Sequence, residues 1–158
     1  MQIRIIAVGK IKEKFLQDGI AEYVKRLHPY VKLHIMEIHE ERRSITASPA
    51  MESVALQKEG ERILSVIPED SIVIIMEVGG QGWSSEKLAA SFREWELSGR
   101  QLVFVIGGDL GLSPEVRTRG DLSLSLSPMT FTHPMARLLL FEQIYRAFRI
   151  LRREPYHK

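Results

Sequence analysis

The chain has 158 residues, 44% hydrophobic and 27% charged, with no cysteine and a net charge of +2. That length suffices for one domain with a substantial core, and the composition excludes wholesale disorder. The lack of cysteine excludes disulfides, thiolate nucleophiles and thiolate zinc sites, and fits a reducing compartment.

The opening stretch, Met1 to Lys10, is too short for the apolar region of a secretory leader and reads instead as a strand. No apolar run approaches the length of a membrane span, so a cytoplasmic location is expected. Charge is spread unevenly. Residues 1–43 carry nine Lys and Arg against six Asp and Glu, residues 44–136 seven against twelve, and residues 137–158 six against two. Basic ends fit a polyanionic partner, or more plainly the solvated faces of helices.

Gln2–Val8 is rich in isoleucine and predicts a buried strand. Lys12–His28 places Phe15, Ile20, Tyr23, Val24 and Leu27 at helical spacing, and Pro29 ends it. Lys32–Ile38 alternates as a second strand, and His39–Ala50 is a polar loop holding Arg42, Arg43 and Pro49. Met51–Val66 predicts a helix offering Val54, Leu56, Ile63 and Leu64 for packing. Ser71–Val78 is an apolar strand, followed by Gly79, Gly80 and Gly82. Ser84 offers an N-cap for a helix through Leu97, which Gly99 ends.

Gln101–Ile106 predicts the fourth strand, leading into Gly107-Gly108-Asp109-Leu110-Gly111. Ser113-Pro114-Glu115 starts a short helix, with a cap, a proline at the first position and an acid in the first turn. Leu122, Leu124 and Leu126 alternate with serines as a fifth strand, and residues 127–133 form a loop. Pro134–Arg153 predicts the longest helix, followed by a short tail. Strands alternating with helices imply an α/β fold, a parallel sheet with helices on both faces, in one domain over residues 1–158. Ligands then bind beyond the carboxyl ends of the strands.

The loop after the first strand holds only Gly9, so neither a dinucleotide fingerprint nor an NTPase phosphate loop is supported. Gly107 and Gly108 allow either a tight turn or a ligand lying against bare backbone. Asp109 has no Asp, Glu or His cluster near it, so no metal site is expected. Ser127, Met129, Thr130 and Phe131 offer backbone donors, hydroxyls and an apolar wall suited to a flat neutral ring, or simply core. His133 either caps the last helix or stands as a titratable group at the mouth of the same pocket. On that helix Leu138, Phe141, Ile144, Tyr145, Phe148 and Leu151 form an apolar stripe, fit for the core or for a dimer. The tail gathers Tyr156, His157 and Lys158, either as a solvated end or as a stacking and proton-handling lid.

Several ordered segments carry a resemblance. They are Ile106-Gly107-Gly108 with Gly111-Leu112, Leu124-Ser125-Leu126-Ser127 with Met129-Thr130-Phe131 and His133, Glu142-Gln143 with Tyr145-Arg146-Ala147, and Pro155-Tyr156-His157-Lys158. Ile6 to Lys10, Glu22-Tyr23 with Arg26, and Lys58-Glu59-Gly60 with Ile63-Leu64 join them. Together they resemble the bacterial large-subunit ribosomal RNA pseudouridine N3-methyltransferases of the SPOUT class, over the whole chain. The resemblance implies a C-terminal trefoil knot, a homodimer with cofactor pockets near the subunit interface, and S-adenosylmethionine as cofactor. It implies as substrate a pseudouridine in 23S rRNA of the assembled ribosome. It assigns the cofactor to Met76, Gly107, Leu126, Ser127, Pro128, Met129, Thr130 and Phe131, with Met76 standing where a leucine is expected.

N3 of pseudouridine must lose a proton to attack a methyl group, so orientation plus a proton acceptor is required. His133 and His157 are the candidate bases. Arg153 and Lys158 are candidates to stabilise the developing anion or hold phosphate, and Tyr156 to stack on the base. The competing expectations are a non-catalytic ribosome-binding assembly factor of the same fold and a flavodoxin-like small-ligand module.

Overall fold

The computed structural model describes residues 1–156. Strands and helices alternate through them: β1 (Gln2–Val8), α1 (Lys14–Leu27), β2 (Lys32–Ile38), α2 (Pro49–Val66), β3 (Ser71–Gly82), α3 (Ser85–Ser98), β4 (Gln101–Ile106), α4 (Pro114–Arg119), β5 (Leu122–Ser125) and α5 (His133–Leu151). The strands form one sheet in the order β2-β1-β4-β3-β5, and every neighbouring pair is parallel. This is the expected α/β class.

The period of two along each central strand builds a core on either face. Ile3, Ile5 and Ala7 of β1, Ile74 and Met76 of β3, and Leu102, Phe104 and Ile106 of β4 pack with α1, α3 and α5. Ile6, Val8, Val73, Ile75, Val103 and Val105 pack with Ile63 of α2 and Val116 of α4. Serine caps set three helix starts: Ser48, Ser84 and Ser113 accept the N–H of Met51, Lys87 and Val116. Gly99 closes α3 at φ 69°.

Three expectations need correction. First, β3 runs on to Gly82. It bulges between Met76 and Gln81 and then rejoins β5, where Gln81 pairs with Leu124 and Gly82 with Ser125. Gly80 allows this, because a Cβ there would stand 2.7 Å from the Leu124 backbone. Second, α2 buries Ala55, Glu59, Gly60 and Ile63, while Val54 is 52% exposed. The close approach to α4 requires a small face, since a Cβ on Gly60 would meet Ser113 Oγ at 2.4 Å. Third, Leu16 rather than Phe15 faces the core from α1, and Phe15 is 66% exposed. Of the two readings open for the α5 stripe, the core accounts for four of its six residues: Phe141, Ile144, Tyr145 and Phe148 are buried where α5 lies between α1 and α3, while Leu138 and Leu151 are half-buried.

Glu59 is the buried acid of α2, and it accepts the Glu41 backbone N–H at 2.9 Å. Burial pushes its carboxyl above the usual value of 4.5, while that N–H pulls it back in part. A carboxyl raised in the folded state binds its proton more readily there than in the unfolded chain. Its contribution to stability is complete below the unfolded value and is lost as pH rises through the folded one. Glu59→Gln keeps an acceptor for the N–H and removes the buried charge. It should raise the urea midpoint at pH 7, and the gain should vanish as pH falls to 4.5 and below; equal gains at both pH values would refute this.

Candidate active site

A cleft of about 810 Å³ opens beyond the carboxyl ends of β3, β4 and β5, against the first turn of α5. Its size suits a small-molecule cofactor. Met76, Gly107, Leu126, Ser127, Met129, Thr130 and Phe131 all line it. Pro128 belongs to the same loop but lies outside the lining. The loop is held by its own bonds: Ser125 Oγ donates to the Ser127 carbonyl at 2.9 Å, and the Met129 N–H donates to Ser127 Oγ at 2.9 Å. Met129 is 76% exposed, so a large apolar side chain stands at the opening without a partner from this chain's core.

The glycines after β4 serve the turn first. The Gly111 N–H donates to the Gly108 carbonyl at 3.0 Å, and Gly111 has φ 78°. A Cβ on Gly107 would stand 2.3 Å from the Gly111 carbonyl oxygen. The turn's own backbone therefore already excludes a side chain at 107, whether or not a ligand also lies against it. A bulky residue there would break the turn, and any loss of ligand binding would follow from that.

His133 lines the cleft, and the turn after β4 brings Asp109 to it: Nδ1 lies 3.2 Å from Asp109 Oδ1. The other Asp109 oxygen lies 3.6 Å from Arg43 Nη2. Nε2 borders the space left by Gly9, where a Cβ would stand 3.6 Å from it and 3.5 Å from Glu40 Oε2. An imidazole engaged at Nδ1 by a carboxylate has Nε2 left to accept a proton. Glu77, which also lines the cleft, accepts from Arg117 Nε at 3.0 Å and from Ser123 Oγ. Sequence reasoning missed Glu77, Arg117, Arg43 and Glu40, and weighed Asp109 only as a metal ligand. Glu77 had a signal, being an acid within the apolar run of β3. The ion pairs had none, because their partners are distant in sequence. Among the described residues no three or more His, Cys, Asp or Glu side chains gather as a metal site would need.

The other sequence candidates lie elsewhere. Arg153 is exposed in the turn that ends α5. Tyr156 folds back on the distal half of α5, where its OH donates to Glu142 at 3.1 Å and its ring meets Tyr145 edge-on at 4.9 Å. Arg146 stacks on the same ring at 4.8 Å. Those partners follow His133 by 9 to 13 residues of helix, about 13 to 20 Å at 1.5 Å per residue. In this arrangement Tyr156 packs on α5 and not over the chain's own cleft. Burial, the bond with Tyr23 and the Glu142 charge all push its phenol well above the usual range, so it is a neutral donor rather than a base. His157 lies outside the described residues, as does Lys158.

The family profile described as "Predicted SPOUT methyltransferase" matches residues 1–157, and the chain belongs to that family. Three relatives align with it end to end, over 100% of both chains. Those from Methanoregula boonei, Carboxydothermus hydrogenoformans and Halothermothrix orenii are 58%, 51% and 49% identical to it. The latter two are named ribosomal RNA large subunit methyltransferase H, and the first bears that name provisionally. No helix of the described residues is long and apolar enough to cross a membrane.

The end of α5 generates a stability prediction. The Glu154 N–H donates to the Arg149 carbonyl at 2.9 Å and the Arg153 N–H to Ile150 at 3.0 Å, the pattern of a Schellman stop. The left-handed position of that motif usually holds glycine, yet here Arg153 takes it, at φ 53°. Arg153→Gly should stabilise the fold by roughly 1 kcal/mol. Urea unfolding that shows no gain, or a loss, would mean that the arginine side chain offsets the strain through contacts of its own.

Proposed function

We propose that this protein methylates N3 of a pseudouridine in large-subunit ribosomal RNA of the assembled ribosome, using S-adenosylmethionine, as a cytoplasmic homodimer with a single domain over residues 1–158. The observation that carries this reading is the cleft. It joins an apolar wall from Met76 and the Leu126–Phe131 loop to a His133–Asp109 pair at its mouth. Family membership favours an enzyme over the non-catalytic assembly factor.

The residues suit the cofactor's chemistry. Met76, Leu126 and Met129 offer apolar surface for a purine, and the backbone of residues 126–131 offers donors and acceptors for its edge. Glu77, held by Arg117, offers an acceptor for ribose hydroxyls. When bound, S-adenosylmethionine supplies a methyl group on a positively charged sulfur. The acceptor nitrogen must then reach that methyl in line and without its proton. His133 takes the proton at Nε2, and Asp109 stabilises the resulting imidazolium through Nδ1. Asp109 is a positioning residue in this scheme. The scheme calls for no metal.

Tyr156 packs roughly 13 to 20 Å along α5 from His133, so if the tail serves a cleft in this arrangement it is that of a second subunit. The homodimer itself rests on the family likeness. Sedimentation giving only an 18.1 kDa species at micromolar concentration would remove both the dimer and this role for the tail.

The direct test is tritiated methyl transfer to ribosomes from a strain lacking this protein, with the product mapped by mass. The parent should bind S-adenosylmethionine in calorimetry, and Leu126→Trp should weaken that binding at least tenfold by filling the cleft, with an unchanged unfolding midpoint. Parental affinity in this variant would place the cofactor elsewhere. His133→Ala should slow single-turnover transfer on the order of a hundredfold with cofactor affinity intact. Asp109→Asn should act in the same direction, less severely, and move the pH profile. Near-parental rates in both variants would shift proton handling to the tail.

A further inference from the structure

A second, smaller cleft of about 210 Å³ lies between the loop after β2 and the first turns of α2. Arg42, Arg43 and Lys58 rim it, and Ala47, Met51 and Val54 supply an apolar floor. Met51 is 62% exposed and Val54 52%. Exposed apolar side chains ringed by cations are not explained by core packing. Among the described residues, Arg42 and Lys58 have no ion pair within 4.0 Å. The acid at the rim, Glu41, is held by Arg62. Arg43 is balanced by Asp109 at 3.6 Å, and Arg42 and Lys58 add two further positive charges to the rim that an anionic ligand would offset.

The loop is built rather than loose. Buried Glu59 accepts the Glu41 N–H at 2.9 Å, and Arg62 donates to the His39 carbonyl at 2.9 Å. Ser44 and Ala47 close a turn by a 3.0 Å backbone bond. The cations are therefore presented on a braced support. Arg43 also forms the partition between the two clefts: it lines the second one and pairs at 3.6 Å with Asp109, which lines the first.

We propose that the second cleft is a subsite for the RNA substrate, holding a phosphate of the strand on Arg42, Arg43 and Lys58 while its base or ribose lies on Met51 and Val54. This rests on the reading that the acceptor is RNA. Charge complementarity selects a polyanion, and the apolar floor selects one that carries flat rings. The shared Arg43–Asp109 partition selects a polymer able to occupy both clefts at once. A phosphate drawn onto Arg43 competes with Asp109 for the guanidinium, so arrival of the strand frees Asp109 to act on His133 alone.

The test is the double variant Arg42→Gln/Lys58→Gln, compared with Lys25→Gln/Arg93→Gln, which removes the same charge from α1 and α3. Binding to unmethylated ribosomes is measured across a salt series, together with S-adenosylmethionine affinity and the kinetics of methyl transfer. The subsite variant should bind ribosomes about tenfold more weakly at low salt. The slope of log affinity against log salt should fall by roughly 1 to 2, with KM raised, kcat kept and cofactor affinity unchanged. The control should keep the parental slope. A parental slope and KM in the subsite variant, or an equal loss in the control, overturns the proposal. Weaker binding with an unchanged slope points to a ribosomal protein in the cleft and overturns the RNA assignment. If the parent itself transfers no methyl group to ribosomes, the reading of the main cleft has failed instead, and this inference falls with it.

Discussion

The geometry of the candidate site hangs on one buried guanidinium. Arg137, only 2% exposed, donates from α5 to the Gly9 carbonyl at 3.0 Å, the Val8 carbonyl at 3.4 Å and Glu37 at 2.7 Å. Burial lowers its affinity for the proton and Glu37 counters that, so the group stays a cation. Removing a charge from water costs several kcal/mol unless the charge is paired and hydrogen-bonded; here Glu37 and two carbonyls engage Nη1 and Nη2, while Nε is buried without a partner. That requirement admits few positions for α5, namely those where residue 137 reaches the carboxyl ends of β1 and β2. His133 stands one turn earlier on the same helix, so the anchor also sets where His133 meets Asp109 and the space left by Gly9.

Close backbone approach is the second constraint. Gly107 packs on the Gly111 carbonyl and Gly80 on β5, and a Cβ on Gly120 would stand 2.4 Å from Ile75. These contacts hold the turn after β4 and the bulge of β3 in place beside the cleft. The cleft is thus shaped largely by backbone, with side chains supplying its chemistry. The distal half of α5 has another character. All four tyrosines of the chain gather there, linked by ring contacts from Tyr145 to Tyr23, Tyr30 and Tyr156 and braced by Arg149 and Glu154. Core side chains hold α5 between α1 and α3, and this polar and aromatic network then holds the tail to α5.

Much of this was legible beforehand because it depends on local pattern. The apolar runs of β1 and β4, the serine caps at Ser84 and Ser113, the αL stop at Gly99 and the parallel topology follow from hydrophobic pattern and turn chemistry. Seven of the eight residues assigned to the cofactor through family resemblance line one cleft, since loops at the carboxyl ends of parallel strands must converge. Other features were hidden because they depend on partners far apart in the chain. The purpose of Gly107 is visible only once Gly111 is seen against it. Val54 reads as a core position by spacing, yet it is exposed because Gly60 and Ala55 set the face that α2 turns to α4.

By itself, then, the amino-acid order determined the elements, the sheet class, and the loops that line the cleft, because hydrophobic period and capping act within a few residues. Tertiary structure alone decided which polar groups meet. Asp109 reaches His133 across 24 positions, Arg43 reaches Asp109 across 66, and Arg137 reaches Glu37 across 100. Such pairs arise only after the carboxyl ends of β2 and β4 and a returning helix have been brought together, and no local rule encodes that distance. The same holds for Tyr156, which the sequence permits as a lid over the cleft and which burial, Tyr145 and Glu142 instead draw to the far end of α5.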